Sequence, residues 1–224
     1  MNLNDIVLRS RSWLKMYTKI RWTELELVEL ANDVQDELGE KIRMNDPDYY
    51  KTSTTKGLVS NDPVVELPQD FVSIKRIEKN SQPTVEIYFE EFADRGDFLS
   101  ISSTSNEYPS RWTWDGMTTA NRETTAQTIR LLPTPTVTEA DYLRIWYVRQ
   151  PRRMTSGLHT PDIPRAYHIL IPKKIRYALL DASGVNADRL LMEIQNMETN
   201  MLSGIYFRQV QNAPLIRSIT NYGE

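Results

Sequence analysis

The side chains able to move a proton near neutral pH are two histidines, His159 and His168, and there is no cysteine to serve as a thiolate nucleophile. His159 lies in a loop pattern, Gly157-Leu158-His159-Thr160-Pro161-Asp162, and His168 follows Tyr167 where a helix is expected to begin. Asp162 and His168, six residues apart across that start, have the residue types of an oriented base, a carboxylate steadying an imidazole. No Ser or Cys nucleophile motif accompanies them, so a locally packed or capping His168 is the plainer reading. Glu90-Glu91 pair two carboxylates, as glycoside hydrolysis requires. Glycosidase carboxylates face each other across a cleft, whereas neighbours at a strand end point to opposite faces. A solvated edge explains them better, and no catalytic residue is assigned.

Metal and phosphate chemistry finds no foothold either. HExxH and CxxC are missing, eight glycines supply no phosphate-cradling loop, and the acidic runs around Asp33 and Asp46 lack the Asp-x-Asp-x-Asp-Gly order of a calcium loop. No metal and no cofactor is expected. Three basic groups, Arg9 with Arg11, Arg149 with Arg152-Arg153, and Lys173-Lys174 with Arg176, have the charge to meet phosphates. Against them stand a net charge of −3 and a pI near 5.6, so they suit ion pairs between subunits or loose DNA contact better than tight binding. Trp146 and Tyr147 alternate across a strand, which puts one of them in a core. Met192, Met197 and Met201 fit core filling or an adaptable partner surface. Lack of cysteine fits a reducing cytoplasm, and no run approaches the ~18 apolar residues of a membrane span.

The elements that must position these residues fall in three blocks. Leu3, Ile6, Val7, Trp13, Leu14 and Tyr17 give a first amphipathic helix over 3–18, with Ser10 a gap in its stripe. Thr23 with Glu26 forms a capping box. It opens a helix over 23–43 whose face is Leu27, Ala31, Val34 and Leu38, with Glu29, Asn32, Asp33, Asp36 and Glu40 largely off it. The period then changes. Residues 51–61 read as a loop or weak edge strand. Strands follow at 64–67, 71–78, 85–89, 111–114, 128–132 and 141–149, and short connections imply antiparallel pairing. Residues 90–110 are less legible. Helices return after Pro151, with a kink or restart at Pro172, Gly184 as a helix-ending residue, and a last stripe of Leu190, Ile194, Met197 and Met201. From Ile205 onward the chain reads as an extended tail, apolar at Ile205-Tyr206-Phe207 and Leu215-Ile216 but without a helical period.

The expected fold is therefore α+β. Residues 1–57 and 150–204 form a helical body, 58–149 an inserted small antiparallel β module, and 205–224 an extended C-terminal tail. A tail too apolar to be a leash is most naturally ordered by another chain.

The order of these segments resembles the phage head-to-tail adaptor family of podophage-like necks. A Trp-Thr-Glu helix start (Trp22-Thr23-Glu24-Leu25) leads to Leu30-Ala31-Asn32. Leu67-Pro68-Gln69-Asp70-Phe71 then steps into Ile74-Lys75-Arg76-Ile77. Leu131-Leu132-Pro133-Thr134-Pro135 precedes Leu143-Arg144-Ile145-Trp146-Tyr147-Val148-Arg149-Gln150-Pro151, and Ile163-Pro164-Arg165-Ala166-Tyr167-His168 opens the last helical region. The similarity spans about residues 20–184; Pro172, where the family keeps an unbroken helix, and the region 94–126 depart from it. The resemblance implies a virion structural protein rather than an enzyme. It would be one copy in a ring, usually twelve-fold, mounted under the portal in the neck between capsid and tail. Tail or neck components such as a nozzle or fibres would dock on its other side, and double-stranded DNA would pass through its lumen without sequence readout. It also implies portal contact through the tail, assigned here to Ile205, Tyr206, Phe207, Leu215, Ile216 and Tyr222. The rival readings are a tail-tube or tail-completion protein and, further off, a virion-associated hydrolase.

Overall fold

The computed structural model describes residues 1–14, 22–81, 84–89, 108–120 and 124–212. The chain divides into two compact units, Met1–Tyr49 with Pro151–Glu224, and Tyr50–Gln150. The α+β expectation holds.

The first unit is helical. Helix α1, Leu3–Leu14, begins where Asn2 and Asp5 each take the other's backbone N–H, and it buries Leu3, Ile6 and Val7. Ser10 fills the gap in that stripe by turning its hydroxyl back onto Ile6 O at 2.9 Å. Helix α2, Glu24–Asn45, carries the expected capping box, Thr23 Oγ1 taking Glu26 N–H while Glu26 takes Thr23 N–H. A 3-10 turn, Arg165–Tyr167, precedes helix α3, Leu170–Ala182. The restart expected at Pro172 thus falls two residues earlier, which places Pro172 in the first turn, where its missing N–H has no helical acceptor to lose. Gly184 (φ +68°) ends α3. Its N–H bonds to Asp181 O and that of Val185 to Leu180 O, the paired bonds of a Schellman motif.

Helix α4, Asp188–Asn212, corrects the reading of an extended tail from Ile205. Ile205 prolongs the stripe of Ile194 and Met201, all three at 3% exposure or less, so packing continues the helix. Leu215, Ile216 and Tyr222 lie outside the described residues.

The second unit is a seven-stranded sheet in the order β1-β7-β3-β4-β5-β6-β2. The strands are β1 Lys51–Leu58, β2 Val64–Glu66, β3 Phe71–Lys79, β4 Glu86–Phe89, β5 Arg111–Ala120, β6 Thr124–Leu132 and β7 Glu139–Arg149. Residues 51–58 are therefore an edge strand rather than a loop. The module is also mixed, not wholly antiparallel: β4 and β5 pair in parallel through Tyr88↔Arg111 and Phe89↔Trp112. The long connection between them, residues 90–107 of which lie outside the described residues along with Glu90-Glu91, is what permits a parallel neighbour.

One face of this sheet is apolar, and its rows can be followed across strands. Ile87, Ile77 and Ile145 line up through β4, β3 and β7, and Trp114, Ile129 and Val65 through β5, β6 and β2. Seven flat strands would set β1 and β2 about 29 Å apart at about 4.8 Å per step. The six residue steps from Leu58 to Val64 reach at most about 21 Å. The sheet must curl, and Val59 bridges Asp62 where its two outer strands meet. Curling wraps the apolar face around one core of Leu58, Phe71, Ile77, Ile87, Trp112, Ile129, Leu131, Leu143, Ile145 and Tyr147.

Candidate assembly surfaces

The residues that could have formed a base are used structurally. His168 Nε2 lies 3.0 Å from Ile163 O, and Nδ1 lies 3.2 Å from Met1 O. Burial outweighs these carbonyls and pulls the imidazole below its ordinary range. The Asp162 carboxylate instead takes Arg152 N–H at 2.9 Å. His159 Nδ1 accepts from Thr155 N–H and Ser156 N–H within its own loop.

That loop is gripped by α2. Asn32 Nδ2 donates to Met154 O at 3.2 Å while Met154 N–H donates to Asn32 Oδ1 at 2.7 Å. One turn on, Gln35 Nε2 donates to Arg152 O at 2.8 Å and Gln35 Oε1 takes Asp162 N–H at 3.0 Å. Two amides on one helix thus imitate a strand, satisfying backbone that would otherwise be buried unpaired. Asn32 had been placed off the buried face; it is 3% exposed and Gln35 is fully buried. Their spacing of three, beside the apolar stripe, was the legible signal. The start of α1 reaches the same loop through Leu3 N–H to His159 O and Asn4 N–H to Gly157 O.

Most cations of the basic groups, and Lys41 beside them, find partners inside the chain. Lys41 and Lys174 each contact both Glu37 and Glu198, at 2.6–2.8 Å, closing a four-charge ring across α2, α3 and α4. Burial alone would raise the Glu37 carboxyl, but hydrogen bonds from Lys174 and Lys41 carry the net shift downward. Burial would likewise lower Lys41, and Glu198 and Glu37 reverse it. Lys173 pairs with Glu193, Arg176 lies 5.4 Å from the Trp13 ring, Arg153 meets Glu29, and Arg11 meets Glu24. Arg149 lies over the Tyr50 ring. Met201 is core, while Met192 is exposed.

The helical unit leaves single aliphatic side chains uncovered, Leu8, Leu25, Met44, Leu158 and Met192 among them, and one adjacent pair of aromatic rings. On α4, Ile205 is buried but Tyr206 and Phe207 are 56% and 62% exposed, with ring centroids 6.3 Å apart. In the sheet unit Tyr147 is core and gives its hydroxyl to Asp70, while Trp146 on the other face donates to Glu78. Burial first, then the charge of Glu139, pushes the Tyr142 phenol up to about 12, so it stays neutral beside the stacked Tyr108 and the Lys79 ammonium. Among the described residues no cluster of potential metal ligands occurs, and no helix is long and apolar enough to cross a membrane.

A family model described as SU10 adaptor protein matches residues 1–218. A search of curated proteins finds no match.

Proposed function

Because the chain belongs to the SU10 adaptor protein family, a family of phage head-to-tail adaptors, we propose that copies of it form a ring on the portal of a filled head. On this reading the ring lengthens the DNA channel and offers tail components a platform. The observation that carries the portal contact is the exposed Tyr206–Phe207 pair on α4, two large rings on a helix whose inner stripe is already buried. Aromatic anchors of this kind dominate interface energies. The in-chain neutralisation of Lys41, Lys173, Lys174 and Arg153 supports a passage for DNA without sticking, since cations already paired release few counterions from phosphate. No step of this work is chemical.

Portal capture tests it. Tyr206→Ala with Phe207→Ala is expected to weaken capture of the full-length protein by portal rings about a hundredfold or more, since two anchors worth about 2 kcal/mol each approach a thousandfold. Tm should stay near wild type, because both rings are solvent-facing. Undiminished capture overturns the assignment.

A further inference from the structure

Helix α2 carries a helical period on two opposite sides. Leu27, Ala31, Leu38 and Ile42 are its buried line. At about 3.6 residues per turn, the line across the helix from them is Leu25, Glu29, Asp33, Asp36, Glu40 and Met44. All six are exposed, Leu25 and Met44 at 71% and 73%. The line is acidic in its middle and apolar at both ends. Arg153 meets its first half, at Glu29 and Asp33. In its second half burial pushes the Asp36 carboxyl up, and the charge of Asp33 adds to this against the pull of Arg153 and Arg43.

A surface of the opposite character lies at the turn between α3 and α4. An open groove of about 350 Å³ there has Leu180, Val185 and Leu190 in its apolar lining and Arg176, Arg189 and Glu193 in its charged lining. Lys173 pairs with Glu193, and that ammonium first, then Arg189 and Arg176, holds the carboxyl below its ordinary range. Three cations thus surround one carboxylate, and the groove is positive. Its shape is set beforehand by the bonds of Gly184 and Val185 to the end of α3 and by the Asn186 side chain on Asp188 N–H. The buried side of α2 packs on α3 and α4, so the acidic line points away from the two helices that carry the groove. A copy therefore does not fill its groove with its own line, and a second copy does.

We propose that the groove between α3 and α4 receives the second half of this line from a second copy of the chain. Met44 then lies against Leu180, Val185 and Leu190, while Asp36 and Glu40 face Arg189 and Arg176. Glu40 and Met44 stand one turn apart on α2, so a carboxylate and an apolar end arrive together. Methionine adapts to an irregular apolar wall, and opposite charge sets orientation and encounter rate. About 25 Å of α4 separates Arg189 from Tyr206 at about 1.5 Å per residue, which lets the neighbour contact and the portal contact be occupied at once. A groove on one side and a line on another make a head-to-tail contact, which closes into a ring when the rotation closes; the choice of a second copy rests on the ring reading above.

Charge reversal reads this contact without disturbing the fold. Arg189 and Glu40 are exposed helix positions, so full-length Arg189→Glu and Glu40→Arg should each keep Tm near wild type. Each alone is expected to cut copies bound per portal ring at least about fivefold, since like charges then face each other across the contact. The double variant should load as wild type does, and so should an equal mixture of the two single variants, in which matched neighbours alternate. The chain has no cysteine, so Val185→Cys protein mixed with Met44→Cys protein should form an interchain disulfide. Full loading by both single variants, no recovery in the double variant and the mixture, or a disulfide only within one chain of a Val185→Cys/Met44→Cys variant overturns the proposal. Wild-type capture by portal rings alongside failure of these tests leaves the adaptor reading standing without this contact. Wild-type protein that portal rings do not capture sinks the adaptor reading itself. The disulfide between the two single-cysteine proteins in concentrated solution then upholds this contact by forming and overturns it by failing to form.

Discussion

In the helical unit Asn32 and Gln35 reach from the buried side of α2 to hold residues 152–162 by their backbone. In the sheet unit the strands hold one another through apolar rows that run as far as Thr52 and Thr54 and stop. The first arrangement is polar and directional, and leaves every gripped group with a partner. The second is apolar and additive, each row built from one side chain per strand.

The largest expected effect tests the apolar rows. Ile145 is fully buried between Ile77 and Thr54, so Ile145→Ala should cost about 4 kcal/mol in urea unfolding, the range for a core isoleucine that leaves a cavity. Next comes the amide grip. Asn32→Ala strips partners from both the N–H and the C=O of Met154, which is 1% exposed, and should cost about 3 kcal/mol. Asn32→Leu sharpens the contrast: it keeps the volume and still orphans Met154, so it should lose nearly as much. A leucine variant as stable as wild type would mean that packing, and not the grip, holds the loop.

The charge ring should respond to pH where the rows do not. Glu37 titrates below its ordinary 4.5 and Lys41 above its ordinary 10.5 in the folded state. The carboxyl's contribution is present above the unfolded value and is lost as pH falls through the folded one. That of the ammonium is present below its unfolded value and is lost as pH rises through the folded one. The ring's own contribution should therefore be flat between about pH 5 and pH 10 and fall on both sides of that window. The depressed His168 erodes stability as pH falls below 6.5, and the raised Tyr142 shares the basic flank. Glu198→Gln leaves Lys174, with a side chain 14% exposed, short of one partner; it should cost about 2 kcal/mol at pH 7 and shallow both flanks. Unchanged flanks would assign the pH response to other groups.

How much of this was legible follows from how local each signal is. The capping box at Thr23 and Glu26, the alternation of Trp146 and Tyr147, and the Gly184 stop depend on neighbours in sequence, and each was read correctly. The parallel pairing of β4 with β5 depends on where a long connection returns, which no local pattern encodes. Ile205 was assigned to a tail because Tyr206 and Phe207 beside it are apolar as well, which blurs the helical period; burial of Ile205 alone restores it. Asn32 was misplaced because a polar residue next to an apolar stripe is usually solvated, and only the loop 120 residues later reveals what it holds. The in-chain partners of Lys41 and Lys174 were invisible for the same reason.

The smallest effect concerns a position where the chain has nothing to pack. A Cβ added at Gly184 would meet no atom within 4 Å, yet its φ is +68°. Gly184→Ala therefore isolates backbone conformation from packing, and should cost about 1 kcal/mol, the penalty of a left-handed conformation for an L-residue. Asn tolerates that region better than Ala, so Gly184→Asn should recover part of the loss. If Ala and Asn are equally costly, the Schellman bonds from Gly184 and Val185 to the end of α3 are not what the glycine preserves, and the turn into α4 is held instead by Asn186, whose side chain takes Asp188 N–H at 2.9 Å.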